Sequence, residues 1–247
     1  MSEIAPVVIG GNGHSGTRIF NTIVTLGGVR TGITHLTRRA NSDDLRILGL
    51  MDKWVGPYLY GKLGESGLRT MRRAYRRRLR LYFPFRSRRW GFKEPRTLLI
   101  LPFLDELFPS MRFVHVIRDG RDIALGNPFV FGNHYIDAFL SEGEKGLPPE
   151  EKMILFWGRG NLKSMEYGTR VMGDRYLLMK WEDLCGQPRE KGLELLEFSE
   201  CKRDAIESVM PLIKRPSSMG RWKTYPEEVR GRVESRGLHW LKLFGYA

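Results

Sequence analysis

Pro6-Val7-Val8-Ile9-Gly10-Gly11-Asn12-Gly13-His14-Ser15-Gly16-Thr17-Arg18 reads as a buried strand, a glycine-rich turn and the first turn of a helix running to about Leu26. Such a turn exposes backbone N–H groups where the helix dipole is positive, so it attracts phosphate or sulfate. Glycines alone would equally suit a tight strand-to-helix connection that binds nothing. A Walker-type loop needs G-x-x-x-x-G-K-[ST]. Counted from Gly11, the second glycine falls at Gly16, but Thr17 stands at the Lys position and Arg18 at the Mg-binding hydroxyl position. The loop can hold a phosphate and is poorly built for Mg-ATP.

Farther along, Arg112-Phe113-Val114-His115-Val116-Ile117 reads as another buried strand, followed by Arg118-Asp119-Gly120-Arg121-Asp122-Ile123-Ala124. Two arginines at the C-terminal end of a strand, beside a helix start, form a second anion site in the crevice of an open α/β sheet. The same arginines could instead pair with Asp119 and Asp122 as surface ion pairs. Two anion-binding elements point to a ligand carrying phosphates at two places.

Together these segments resemble the sulfotransferase superfamily that uses 3′-phosphoadenosine 5′-phosphosulfate (PAPS). In that family a strand–loop–helix of the form [RKH]-x-G-T-[TR] binds the 5′-phosphosulfate, and His14-Ser15-Gly16-Thr17-Arg18 matches it. A later R-D-G-R-D segment binds the 3′-phosphate, with Arg118 matching the contacting arginine. Gly91-Phe92-Lys93-Glu94-Pro95 is similar to the segment whose lysine lies near the sulfuryl group. Tyr176 to Leu184 is similar to the strand ending in Y-E-D-L near the adenine, with Trp181 in place of the tyrosine. Arg215, five residues before Gly220-Arg221-Trp222-Lys223, resembles the C-terminal loop that closes over the 3′-phosphate. The matches follow the family's order from residue 7 to residue 223.

The chain also departs from that pattern. The position of His14 is usually Lys or Arg, contacting the oxygen that bridges sulfur and phosphorus; a histidine donor there depends on pH. The family tends to carry a serine eight residues after the first arginine of R-D-G-R-D, to hydrogen-bond the 3′-phosphate. Here that position is Gly126, so the contact is missing or passes to Asn127. Cytosolic small-molecule members have a catalytic His where this chain has Pro95. The pattern is nearer to the tyrosylprotein, glycan and bacterial branches.

Composition is compatible with this reading. A chain of 247 residues, 41% hydrophobic, can bury a substantial core as a single domain spanning 1–247. The first strand begins at Val7, leaving no room for a signal peptide, and no apolar run reaches membrane-spanning length. Cys185 and Cys201 make no disulfide framework, and no Cys/His spacing suggests zinc. A soluble, reduced, cytoplasmic protein is expected. The formal net charge of +13 is concentrated, because ten arginines and no acidic residue between Arg69 and Arg89 supply +10 of it. Leu68, Met71, Tyr75, Leu79 and Tyr82 recur there at helical spacing, with arginines on the other faces. That helix is either a solvated face seated on the core, a dock for an anionic acceptor, or an element drawn to an anionic membrane surface. No recognised nucleic-acid motif accompanies it.

The expected architecture is a P-loop-like, mostly parallel sheet with helices on both faces. Strands are predicted near 6–10, 28–31, 89–93, 112–117 and 175–181. Helices are predicted near 15–26, 97–107, 119–126, 150–172, 188–198, 203–213 and 226–236. Asn127 to Glu151 fits no clear element; Phe129, Phe131, His134, Tyr135 and Phe139 could line an acceptor pocket or fold onto the domain.

The chemistry implied by the resemblance is in-line sulfuryl transfer to an acceptor hydroxyl, or an amine. Backbone N–H groups of Gly13 to Thr17 would hold the 5′-phosphate. His14 and Lys93 would serve the oxygens around sulfur, with Arg18 a further candidate, and no metal is required. Arg118, Asn127, Trp181, Arg215, Gly220, Arg221 and Trp222 complete the expected donor site. The general base is drawn from His35, Asp43 and Glu94, with Asp43 or His35 favoured. Set against them, His35 could be a loop histidine, Asp43 a helix N-cap and Glu94 an ion-pair partner of Lys93. A Mg-dependent kinase on the same kind of fold, and a non-catalytic anion-binding protein, are the alternative readings. Acceptor identity and oligomeric state are not readable.

Overall fold

Alternation of apolar side chains in short strands builds a sheet buried on both faces. The computed structural model describes residues 5–31, 45–82, 89–126 and 133–247. The first half of the chain contains β1 (Val7–Gly11), α1 (Thr17–Leu26), β2 (Arg30–Thr31), α2 (Leu45–Leu59) and α3 (Gly64–Tyr82). Next come β3 (Trp90–Lys93), a 3-10 turn (Pro95–Ile100), α4 (Leu101–Leu107), β4 (Arg112–Ile117) and α5 (Gly120–Gly126). Then follow α6 (Asn133–Ile136), α7 (Pro149–Tyr167), β5 (Tyr176–Lys180), α8 (Trp181–Gly186), α9 (Pro188–Phe198), α10 (Ile206–Val209) and α11 (Glu227–Leu243).

The strands lie in the order β2-β3-β1-β4-β5, and every pairing is parallel. β1 sits at the centre, with Ile9 opposite Lys93 on one side and Val114 on the other. Successive side chains point to opposite faces. Val7, Ile9, Val114 and Val116 therefore pack with α1 and α9, through Phe20, Ile23 and Leu195. Val8, Phe92, Phe113 and Ile117 pack with residues of α2, α3, α4, α7 and α11. Both faces covered is the usual condition of a parallel sheet.

The predicted strands all form, within two residues of the expected ends. Several helices differ. α2 was not expected, because Gly49, Gly56 and Pro57 lower its local propensity. Ile47, Met51, Trp54 and Val55 nevertheless bury at helical spacing and carry it. The 203–213 stretch breaks into short turns at 203–205, 206–209 and 210–212, where Pro211 lacks the N–H that a continuous helix needs. The last helix runs on to Leu243, held by Val233, Gly237 and Leu241 on its buried side. The 150–172 helix is α-helical to Tyr167 and then loosens into a π turn at Gly168–Met172. Trp181 opens α8 and does not end β5. In the segment without a clear element, Tyr135 and Ile136 of α6 are buried, and Phe139 packs edge-on against Phe156. Phe129 and Phe131 lie outside the described residues, as do His35, Asp43 and Asn127.

One polar cluster is sealed inside this core. His115 of β4 is wholly buried; its Nε2 donates to Asn161 Oδ1 at 2.8 Å while its Nδ1 accepts from the Tyr176 hydroxyl. The Asn161 amide nitrogen is spent on the Trp157 carbonyl, which leaves its oxygen as the acceptor for histidine. Burial pushes the imidazole down to about 4, with the Asn161 bond opposing. The unfolded chain, titrating near 6.5, then binds more protons between those values. Stability is therefore full above about pH 6.5 and falls as pH drops toward 4. Thermal unfolding of His115→Gln across this range should show a shallower acid slope than the parent. An unchanged slope would show that the proton is taken up elsewhere.

Candidate functional site

The glycine-rich turn forms the centre of a polar site at the C-terminal edge of the sheet. His14 takes a left-handed φ of 64° at the exposed tip, and Gly16 one of 83°. A Cβ at Gly16 would also stand 2.3 Å from the Trp181 ring, so the indole lies flat against the loop's backbone. The Ser15 N–H closes the turn onto the Asn12 carbonyl at 3.1 Å. The first N–H groups of α1 have no helical carbonyl a turn behind them, and that of Ile19 bonds the Gly16 carbonyl at 3.1 Å. Asn12 and Ser15 are 2% and 1% exposed, yet the Asn12 amide atoms and Ser15 Oγ have no hydrogen-bond partner. Buried polar atoms left unsatisfied at a helix N-terminus fit a phosphate-bearing ligand.

Arg118 reaches this loop from the end of β4. Its Nη1 donates to the His14 carbonyl at 3.1 Å, and its guanidinium lies 5.0 Å from the Trp181 ring centre. Its Nη2 bonds Asp122 Oδ2 at 2.9 Å and both the carbonyl and hydroxyl of Ser218, while its buried Nε has no partner. Asp122 in turn accepts the N–H of Gly220 at 2.7 Å and that of Trp222 at 3.0 Å. The C-terminal loop is thus tied to α5 through one carboxylate. Arg118 and Arg121 do pair with Asp122 and Asp119, but the first pair is buried and the second largely so, not on the surface. Arg121 also bonds Glu234 and the Tyr246 carbonyl and lies 3.8 Å over the Trp222 ring.

His14 is held below its ordinary 6.5, first by desolvation and then by the positive charges of Arg118 and Arg221. Arg221 therefore shares the site with both. Its Nη2 lies where a side chain on Gly126 would project, 2.3 Å from an ideal Cβ there.

The second wall comes from β3. Lys93, 5% exposed, ends that strand beside Ile9, and the Glu94 N–H bonds the Ile9 carbonyl at 3.2 Å. Glu94 is an ion-pair partner, as one reading expected, but its Oε1 receives Arg96 Nε at 2.8 Å. Arg96 Nη1 also donates to Asp52 Oδ1 at 2.6 Å and to the Tyr135 hydroxyl at 3.3 Å. The segment after Lys93 is thereby fixed to α2 and α6.

The structure brings Gly13 to Arg18, Arg118, Trp181, Gly220 and Arg221 together around the turn. Arg215, Gly220 and Trp222 line a cavity of about 350 Å³ with Glu182, Cys185 and Met219. Sequence reasoning did not assign Asp122, Ser218 or Arg96 to the site. Asp122 was legible only as half of a surface ion pair; its burial depends on the C-terminal loop folding back from a hundred residues away, as the Gly220 and Trp222 separations of 98 and 100 residues show. Among the described residues no group of three or more His, Cys, Asp or Glu could hold a metal, and no helix is long and apolar enough to cross a membrane.

Comparison with known proteins bears on this geometry. Carbohydrate sulfotransferase 3 of Mus musculus is 28% identical over 107 residues, which is 40% of this chain and 22% of that relative's length. The sulfotransferase STF9 of Mycobacterium avium matches with a TM-score of 0.63 at 12% identity, over 100% of this chain and 78% of its own. The sulfotransferase domain of the Synechococcus PCC 7002 olefin synthase gives 0.60 at 15% identity, over 100% and 96%. A retinol dehydratase solved with androsterone and inactive cofactor PAP gives 0.51 at 13% identity, over 96% and 80%. At such identities these structures share the fold. Residues 65–204, more than half of the chain, match the sulfotransferase family, and the chain belongs to it.

Proposed function

We propose that this chain transfers a sulfuryl group from PAPS to an acceptor hydroxyl, or an amine. The observation that carries the reading is the convergence of unsatisfied Asn12, Ser15 and Arg118 atoms on a helix N-terminus. The bound nucleotide, PAP, in the retinol dehydratase structure of the same fold supports it. When bound, the donor supplies a sulfuryl group whose bond to the 5′-phosphate oxygen breaks as the acceptor oxygen bonds sulfur. The Gly13–Thr17 backbone and α1 hold the 5′-phosphate, and Arg118 holds the 3′-phosphate, with Trp181 beside the adenine. Lys93 and His14 carry the charge that develops on oxygens around sulfur, as preorganised donors do in phosphoryl transfer. Glu94, bound to Arg96, is a poor proton acceptor, so the base is assigned to Asp43 or His35. Two unbridged cysteines support a cytoplasmic setting.

The acceptor is anionic or lies near an anionic surface. α3 seats Met71, Tyr75 and Leu79 in the core and exposes Arg73, Arg76 and Arg77, which have no acidic partner among the described residues. Like charges four residues apart on a helix are mildly unfavourable, so the stripe calls for an outside partner. Replacing these three with Glu should lower the salt needed to elute the protein from a sulfated-polysaccharide column, with PAP binding unchanged. Identical elution would remove α3 from acceptor docking.

PAP should raise the melting temperature without Mg, ADP should do so less and Mg-ATP least. At about a hundred times its dissociation constant a ligand adds roughly 2.7 kcal/mol, or about 5–11 °C here. Lys93→Met should keep that shift within a few degrees of the parent and lower turnover by roughly two orders of magnitude or more. A shift with Mg-ATP alone would favour a kinase, and full turnover by the variant would remove Lys93 from the chemistry.

An anion beside His14 raises the imidazole from its depressed value, so donor binding takes up a proton. PAP should then bind more tightly at about pH 6 than at about pH 8, because affinity falls as the bound imidazole loses its proton. His14→Gln should remove this component, and His14→Lys should hold affinity high at the alkaline end. Calorimetry at both pH values checks it, and equal pH dependence in parent and Gln variant would exclude His14.

A further inference from the structure

α11 stops at Leu243, and Gly245 turns the chain out of the helix with a left-handed φ of 69°. The Gly245 N–H bonds the Lys242 carbonyl at 3.0 Å and the Tyr246 N–H bonds the Leu241 carbonyl at 2.7 Å, the paired bonds of a Schellman turn. That turn sends the Tyr246 side chain toward α7 and β5. Its ring packs edge-on against Trp157, with 6.1 Å between centres, and the Lys180 ammonium lies 4.8 Å from it. Trp157 Nε1 in turn donates to the Arg118 carbonyl at 3.0 Å, and Lys180 Nζ donates to the Gly245 carbonyl at 3.2 Å.

The polar atoms of Tyr246 close a ring of hydrogen bonds. Its hydroxyl donates to Glu182 Oε2 at 3.0 Å, and Glu182 Oε1 accepts the Asp119 N–H, also at 3.0 Å. The Asp119 carboxylate takes Arg121 Nη2 at 2.8 Å, and the same nitrogen donates to the Tyr246 carbonyl at 2.7 Å. Glu182 directly follows Trp181, whose ring lies against the glycine-rich turn, and Asp119 directly follows Arg118. Glu182, Asp119 and Arg121 line the cavity of about 350 Å³, and Tyr246 stands behind them. A phenylalanine would fill the same space against Trp157, so packing does not call for the hydroxyl. The half-buried Glu182 does, because a carboxylate withdrawn from water needs donors for both oxygens.

We propose that Tyr246 is a positioning residue of the donor site, holding Trp181 and the Arg118–Arg121 turn in register through Glu182 and Arg121. This rests on the donor reading above and adds a support outside the donor's own contacts. Bonds closed into a ring polarise one another, so removing one loosens the rest. Burial raises the Glu182 carboxyl, with the Asp119 charge adding to the lift, while the Asp119 N–H and the Tyr246 hydroxyl hold it down.

Calorimetry with PAP, alongside melting without nucleotide, tests this. Tyr246→Phe keeps the ring on Trp157 and should melt within a few degrees of the parent. It should weaken PAP by about tenfold, the lower end for one lost hydrogen bond to a charged group. Glu182→Gln and Glu182→Ala lack the same charge, so their difference reads the bonds alone. The Gln variant can still accept the Asp119 N–H and partner the Tyr246 hydroxyl, and should bind PAP about tenfold more tightly than the Ala variant. Added to Glu182→Ala, Tyr246→Phe should change PAP binding little, because the hydroxyl has already lost its partner. With Glu182 present, the gap between parent and Tyr246→Phe should widen toward acid pH, since the carboxyl freed of the hydroxyl protonates at a higher pH. In the Glu182→Gln background that gap should stay flat. If Tyr246→Phe binds PAP like the parent, or costs as much in the Glu182→Ala background, the proposal fails while the donor site stands. If the parent binds no PAP at all, the donor reading fails and this inference with it.

Discussion

The buried carboxylate of Asp122 is the constraint on which the donor half of the site depends. Its side chain is 1% exposed, and it is bonded by the Arg118 guanidinium and two backbone N–H groups of the C-terminal loop. Those three bonds, with Arg118 on Ser218 and Arg121 over Trp222, align the end of β4, the first turn of α5 and a loop of short 3-10 turns. Breaking one partner of a buried pair typically costs about 3–5 kcal/mol, because the remaining charge is left uncompensated. Arg118 is thus fixed toward the His14 carbonyl, and Arg221 is carried to its place by the same bonds that fix Gly220 and Trp222. The neighbouring backbone is equally committed. The Arg118 carbonyl accepts Trp157 Nε1 and the Asp119 N–H reaches Glu182.

The substitutions that set this chain apart from the family's pattern make physical sense together. A histidine at the loop's tip brings less fixed charge than lysine or arginine, and a glycine at 126 brings no hydroxyl. Arg221 adds back one full charge in reach of both positions.

Much of this was legible before the coordinates. The strand–loop–helix at Val7–Leu26 and the strand ending at Ile117 are local patterns, apolar runs closed by glycine or by charged helix starts, and both formed as read. The order of motifs along the chain sufficed to place the family. What escaped was non-local. α2 has glycines and a proline that hide it from propensity, and only the core behind Met51 and Trp54 holds it. Arg221 is legible as part of the C-terminal loop, but only the fold shows its guanidinium set against Gly126. Asp122 reads as one more surface ion pair until Gly220 and Trp222 arrive.

The two walls of the site are built on different principles. The donor wall stands on the sheet: β1 and β4 are paired along five residues, and the phosphate loop hangs from their ends. The second wall is braced by helices, where Arg96 links Glu94, beside Lys93, to Asp52 of α2 and Tyr135 of α6. Glu94 and Arg96 are both nearly inaccessible, whereas Asp52 at the outer end is 63% exposed at its side chain. A displacement of α2 or α6 therefore reaches Glu94, the neighbour of Lys93, through a guanidinium with fixed fork geometry. Such a joint ties α2 and α6 to the segment after Lys93, while the β1–β3 ladder keeps Lys93 beside Ile9. Lys93 stays registered to the glycine-rich turn because β1 and β3 share a ladder, whatever the helices above them are shaped to hold.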